Sequence, residues 1–221
     1  MKTAVIGLGT IGGTIATRLA EGGVDVIVAE RNLEKAKAFA GKLGDHAHAL
    51  SIEDAVKTAD VVILAVWFDV IKQLVVDHRS ALAGKIVVDP SNPIAPDGKG
   101  GFTKAIAAEQ SSGQIIAGLL PGDAELVKAF GSLGGASLAS AANRAPEKAV
   151  LFYATDYEEA GNAVARLIKA AGFEPVAIGG IGQSIRIEVF GDLHEFGKLG
   201  KVVSAAEARA LLGQQAASAA A

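Results

Sequence analysis

Short apolar runs alternate along this chain with longer stretches in which apolar residues recur three and four positions apart. The first pattern predicts buried strands and the second amphipathic helices. Lys2–Ile6 reads as a strand entering the turn Gly7–Gly13. Ile15, Ala16, Leu19 and Ala20 then share one face of a helix that Gly22-Gly23 stops. Val24–Ala29 is a second strand, and Leu33, Ala36, Phe39, Ala40 and Leu43 mark a helix over Leu33–Leu43. Gly44–Leu50, with His46 and His48, reads as a loop. Ser51, with Asp54 three residues on, is placed to cap a helix over Ile52–Thr58. Asp60–Val66 is nearly all apolar, as a strand covered on both faces should be. Phe68–Asp77 follows as a helix with Val70, Ile71, Leu74 and Val75 inward, and Lys85–Val88 as another central strand.

Beyond Asp89 the pattern predicts a polar loop over Ile94–Gly101, a helix over Thr103–Gln110, and a loop or helix end over Gln114–Leu120. A strand lies within Ala124–Phe130, and Gly131–Ala142 is a loop with a short helix. Ala149–Ala154 is a strand, and Asp156 is placed to cap a helix reaching about Ala171. Glu174–Ile178 is a strand, and Ile185–Leu193 reads equally as strand or helix. Ser204–Leu212 is a capped helix, and Gly213–Ala221 either frays or extends it. The alternation predicts an α/β protein of the Rossmann type, a doubly wound and mostly parallel sheet with a small C-terminal α+β portion. We expect a dinucleotide-binding domain over residues 1–140 and a substrate-side or dimerisation portion over 141–221.

Composition narrows the class. The chain has 221 residues, half of them apolar, enough for a sizeable core. Its net charge of −3 favours neither nucleic acid nor an anionic membrane. It has no cysteine, which removes disulfides, cysteine nucleophiles and cysteine metal sites, and no histidine–carboxylate spacing suggests a metal. The N-terminus reads as a strand rather than a leader, and no apolar run is long enough for a membrane span. A cytoplasmic protein is expected.

The chemistry begins at Gly7-Leu8-Gly9-Thr10-Ile11-Gly12, which matches Gly-x-Gly-x-x-Gly directly between a strand and a helix. In that setting Gly7 permits the tight turn, Gly9 lets backbone approach a pyrophosphate, and Gly12 allows close packing of helix on strand. The helix N-terminus supplies free N–H groups and partial positive charge. At the end of the second strand Glu30 is placed to accept the ribose hydroxyls of NAD(H). Arg31 and Lys35 are placed to clasp the 2′-phosphate of NADP(H), and Lys35 reads equally as part of a solvated face. The two cations outweigh one carboxylate, so the balance falls to NADP(H). The strand ends Ala65-Val66-Trp67 and Asp89-Pro90-Ser91-Asn92-Pro93 should flank the nicotinamide. Trp67 reads either as a wall of that site or as core packing. Lys128, at a strand end, reads as a charged group of the substrate pocket or as a partner of Asp123 or Glu125. His194 reads as structural or as a residue near the site. Trp67, Asn92, Pro93 and Lys128 are the substrate-side candidates, and no catalytic acid or base stands out.

These segments resemble the coenzyme F-420-dependent NADP oxidoreductases and their bacterial dinucleotide-binding relatives. The glycine turn, the Arg31/Lys35 pair, Asp89-Pro90-Ser91-Asn92-Pro93-Ile94, Val127-Lys128-Ala129-Phe130 (followed by Gly131 where the relatives have Asn), Gly172-Phe173-Glu174-Pro175-Val176 and Arg186-Ile187-Glu188 carry the resemblance. It implies hydride transfer between NADP(H) and a flat small-molecule substrate, such as the deazaflavin coenzyme F-420, by a homodimer. Such a step needs orientation more than acid–base help. Two other readings stay open at this point. One is an NAD(P)-dependent reductase of a small carbonyl, imine or flavin. The other is a redox sensor that binds the dinucleotide without turnover.

Overall fold

The computed structural model describes residues 1–219; Ala220 and Ala221, the last of the expected low-complexity end, lie outside the described residues. The chain opens β1 (Thr3–Ile6), α1 (Thr10–Glu21), β2 (Val26–Ala29), α2 (Leu33–Leu43), β3 (Ala47–Ala49), α3 (Ile52–Thr58), β4 (Val61–Leu64). It continues α4 (Phe68–Asp77), α5 (Arg79–Leu82), β5 (Ile86–Asp89), β6 (Ile94–Pro96), β7 (Phe102–Lys104), α6 (Ser112–Leu119), β8 (Glu125–Lys128). The rest is α7 (Gly135–Ser140), β9 (Val150–Tyr153), α8 (Glu158–Ala170), β10 (Glu174–Ala177) and α9 (Ala205–Ala219).

Six strands form one all-parallel sheet in the order β3-β2-β1-β4-β5-β8. Its strands are apolar at successive positions because both faces are covered. Val5, Val28, Ile63, Val88 and Val127 point to one side, where they meet Ile15, Ala16 and Leu19 of α1 and Val164, Leu167 and Ile168 of α8. Ala4, Ile6, Val62, Leu64, Val87 and Leu126 point to the other, against Val56, Phe68, Ile71, Val75 and Ile116. This is the doubly wound arrangement expected. β9 and β10 form a parallel pair, joined to the end of β8 where Lys128 and Ala154 exchange backbone hydrogen bonds. Leu151, Ala160, Val164 and Phe173 of this later segment pack in the same core as β1 and α1.

The register aligns the strand ends. Ile6 sits opposite both Ala29 and Leu64, and Asp89 opposite Lys128. With Ile63 opposite Val88, the four central strands and β8 end on one row. Gly7, Glu30 and Ala65 therefore leave the sheet side by side, and Trp67 leaves β4 level with Asn92 beyond β5.

Several local expectations change. Residues 47–49 are a strand rather than loop, because the open edge of β2 offers a ladder to a segment too short to show its own period. Thr103–Gln110 is not helical. The turn at Gly98–Gly101 reverses the chain, so Phe102–Lys104 pairs antiparallel with Ile94–Pro96, and Lys104 Nζ donates to the carbonyls of Ala108 and Gln110. Gln114–Leu120 lies largely within a full helix, α6, capped by Ser111, whose Oγ accepts from Gln114 N–H. Asp156 does not cap α8; its carboxylate accepts from Ile181 N–H at 3.0 Å. Ile185–Leu193 is neither strand nor α-helix: Ile185 and Arg186 end a 3-10 turn over Ile181–Arg186, and irregular turns follow. On α4, Val70 is exposed rather than inward. Among the described residues no helix is long and apolar enough to cross a membrane.

Candidate functional site

The glycine turn at the end of β1 divides its three glycines by what surrounds them. Gly7 has φ +94°, and a Cβ there would lie 2.5 Å from Val66 and 2.6 Å from the Ala65 carbonyl oxygen. At Gly12 a Cβ would meet the Gly7 carbonyl oxygen at 1.9 Å. Both must be glycine for the turn and helix to close against the sheet. Gly9 is different: its φ of −73° suits any residue, and a Cβ there would meet nothing within 4 Å. The protein leaves open space at the one glycine where a pyrophosphate would approach.

Gly9 is also the N-cap of α1. No side chain caps it, and its first turn carries no acidic residue. Bare amides at a helix N-terminus attract anions. An open groove of about 350 Å³ touches Leu8, Gly9 and Thr10 and runs down α1 between Phe39 and Ala139. Its body lies along α1, away from the strand ends. Ile11 packs against the core beside Leu8. Ala65 and Val66 form the opposite wall of the turn.

Glu30 stands level with Gly7 at the end of β2, partly exposed. Arg31 and Lys35 are exposed beside it at the start of α2, where Asn32 Oδ1 accepts from Lys35 N–H. Among the described residues neither cation forms an ion pair, although Lys37 pairs with Glu34 on the same helix. The cations thus flank the carboxylate at the edge where an adenosine ribose would lie.

The substrate-side candidates separate. Trp67 is 59% exposed at the start of α4, which overturns core packing. Asn92 bridges two segments. Its Nδ2 donates to the Gly131 carbonyl at 3.1 Å, and its Oδ1 accepts from Val189 N–H at 2.6 Å. Pro93 is buried, and its carbonyl accepts from Ala105 N–H to close the β6–β7 hairpin. Lys128 pairs with neither Asp123 nor Glu125. It is 1% exposed, and its Nζ donates to Asp89 Oδ2 at 2.7 Å, Ser112 Oγ at 2.9 Å and the Ser91 carbonyl. Lys128 therefore acts on the strand ends through the Ser91 backbone it holds, next to Asn92.

Behind Lys128 lies a polar network that the sequence pattern does not announce. Glu188 is buried, and burial by itself raises a carboxyl. The charge of Lys128, the N–H groups of Gly113 and Ser112 and the Ser111 hydroxyl together hold it below its ordinary value. Its carboxylate caps α6 with three hydrogen bonds, at 2.9 to 3.1 Å. Ser111 and Ser184 share a further hydroxyl contact. Polar residues within the apolar-flanked stretches at 111–112 and 184–188 were the available signal. Glu195 clamps the next loop, accepting from Gly134 N–H and the Ser137 hydroxyl.

His194 is buried beside this clamp. Its Nδ1 accepts from Phe196 N–H, and its Nε2 has no hydrogen-bond partner of good geometry. Burial pushes its pKa down to about 4, which the nearby Gly131 backbone and Glu195 offset only in part. The imidazole is neutral at pH 7.

Residues 2–93 match the family model described as "NADP oxidoreductase coenzyme F420-dependent", a span that runs from β1 to the Asn92-Pro93 turn. A crystal structure of hypothetical protein SMa0349 from Sinorhizobium meliloti is 30% identical, with TM-score 0.81 over 92% of this chain and 95% of that one. A crystal structure described as that of "a putative f420 dependent nadp-reductase" from Arthrobacter sp. FB24 is 26% identical, with TM-score 0.72 over 84% of this chain and 87% of the other. Rat metalloreductase STEAP3 is 30% identical over 187 residues, which are 85% of this chain and 36% of the rat protein. The chain spans little more than a third of that relative. With the glycine turn, the Rossmann sheet and this matching span, residues 2–93 belong to the coenzyme F420-dependent NADP oxidoreductase family.

Proposed function

We propose that the protein passes a hydride between NADP(H) and a planar second substrate, of which the deazaflavin coenzyme F-420 is the type that the family suggests. The observation that carries this reading is the open face of Gly9 at the uncapped N-terminus of α1, between glycines that sterics require. The residues present fit the cofactor. The amides of the turn receive the pyrophosphate, Glu30 the ribose, and Arg31 and Lys35 a 2′-phosphate. When bound, the nicotinamide supplies the hydride-transfer chemistry.

The chain's own part is orientation. Lys128 holds the Ser91 carbonyl, and Asn92 ties the end of β5 to Gly131 and Val189. The row of strand ends is thereby fixed where the reacting ring would lie. Hydride uptake by such a substrate is completed by one proton, which solvent supplies, so none is asked of the neutral, buried His194.

The test is a steady-state assay of NADPH with deazaflavin, flavin, quinone and small carbonyl or imine acceptors. Turnover with the deazaflavin at the highest kcat/KM supports the proposal. Turnover with small carbonyls or imines alone replaces the planar partner with a compact one. Tight NADPH binding with no turnover on any acceptor makes the protein a sensor.

A further inference from the structure

Phe190 adopts φ +72°, a left-handed conformation that bulky side chains seldom take. The turn around it leaves no way to relax. Val189 N–H is held by Asn92 Oδ1 at 2.6 Å, and Gly191 N–H by the Glu188 carbonyl at 2.8 Å. Gly191 itself has no room for a side chain, since a Cβ would stand 2.3 Å from the Arg186 carbonyl oxygen. Glu188 is anchored on α6. The backbone is therefore over-determined on both sides of Phe190, yet the ring is 50% exposed and belongs to none of the hydrophobic clusters. Strain held by its surroundings, without packing of the strained residue, is a feature of ligand contacts.

Its position points to the same use. Asn92, which holds Val189, leaves β5 level with Trp67 leaving β4, and Trp67 is 59% exposed. Phe196, 62% exposed, lies where a Cβ on Gly134 would touch its ring at 2.5 Å, and the adjoining Gly135 faces Thr10 of the glycine turn. Two exposed aromatic residues thus stand beyond the ends of β4 and β5, and a third lies beside the loop whose Gly135 faces the glycine turn.

We propose that Phe190 is a specificity-determining contact for the second substrate, its exposed ring being held beyond the end of β5 by the turn that Asn92 and Gly191 enforce. The assignment rests on the planar-partner reading above. An aromatic ring offers such a partner an offset stacking face. Small aliphatic substrates would gain little from it.

The probe is riboflavin, a planar tricyclic ring, added to protein saturated with NADP+. Binding is read by quenching of Trp67, the single tryptophan. Phe190→Ala should weaken riboflavin roughly 3- to 10-fold, and Phe190→Tyr should retain it. NADPH affinity by calorimetry should stay unchanged in both. The thermal midpoint of Phe190→Ala should not fall, and that of Phe190→Gly should rise as the left-handed strain is relieved. Quenching in wild type that persists equally in Phe190→Ala overturns the assignment of Phe190 alone. Absence of quenching in wild type overturns the planar-partner reading and the assignment with it. A lowered midpoint with a parallel loss of NADPH affinity makes Phe190 structural. A changed oligomeric state with unaltered riboflavin affinity makes it an interface residue between copies.

Discussion

Gly9 and Gly12 lie three residues apart in one turn, and their surroundings give them opposite consequences on substitution. In Gly12→Ala the new Cβ would stand 1.9 Å from the Gly7 carbonyl oxygen and 2.8 Å from Ala65 Cβ. Both neighbours are held, Gly7 through its N–H bond to the Ala29 carbonyl and Ala65 through its N–H bond to the Ile6 carbonyl. Helix α1 must move off the sheet. Overpacking of this kind costs about 1–3 kcal/mol, and the backbone contact places it at the upper end. For a chain of this size that lowers the midpoint by roughly 6–12 °C. In Gly9→Ala or Gly9→Val the backbone is already in an extended conformation and the Cβ meets nothing. Stability should fall by no more than about 1 kcal/mol, the cost of replacing an N-cap glycine. The side chain then occupies the approach to the α1 amides. Losing one charge-assisted hydrogen bond, about 1.5–3 kcal/mol, weakens NADPH roughly 10- to 150-fold. Differential scanning calorimetry and NADPH titration on the same preparations check both halves. A folded Gly9→Val that binds NADPH like wild type would refute the placement of the pyrophosphate. Equal destabilisation by both substitutions would refute the division of roles.

Removing Lys128 strands the fully buried Asp89 carboxylate, so Lys128→Met should cost about 3–5 kcal/mol in denaturant unfolding. A second change, Asp89→Leu, should recover part of it, and a loss below about 1 kcal/mol for the single variant would show that the pair is not desolvated. Arg31→Ala should weaken NADPH roughly 10-fold or more while sparing NADH, and Glu30→Ser should leave NADPH equal or tighter; equal losses of both cofactors in Arg31→Ala would assign selectivity to the carboxylate. His194 is neutral in the fold down to about pH 4 but protonates near 6.5 when unfolded. Its contribution is therefore complete above pH 6.5 and is lost as pH falls towards 4, by about 3 kcal/mol. His194→Phe should flatten unfolding stability across that window, and an unchanged slope would mean that the imidazole is not desolvated.

The dinucleotide turn was legible because its requirements are local. A positive φ at Gly7, a close approach at Gly12 and an apolar face on α1 all lie within one strand–turn–helix unit. Each is expressed by residues a few positions apart. The same holds for Glu30 and Arg31, whose place follows from the length of α1 and β2. The doubly wound sheet was legible for a related reason. Strands covered on both faces must be apolar at successive positions, and β4 and β5 are.

Only the tertiary structure decided which distant groups meet. Lys128 had nearby acids at Asp123 and Glu125, yet its ammonium pairs with Asp89, 39 residues away, because β5 and β8 are neighbours in register. The partners of Glu188 lie 75 to 77 residues earlier. β3 and β7 are strands because an edge and a hairpin partner were available, not because three residues can state a period. Trp67 and Phe190 are exposed although composition favours burying them, since their surroundings are set by where chain segments from elsewhere run. Local spacing specifies conformation through short-range sterics and hydrogen bonds. Pairing across the sheet edge depends on the order of strands, which no single window of sequence contains.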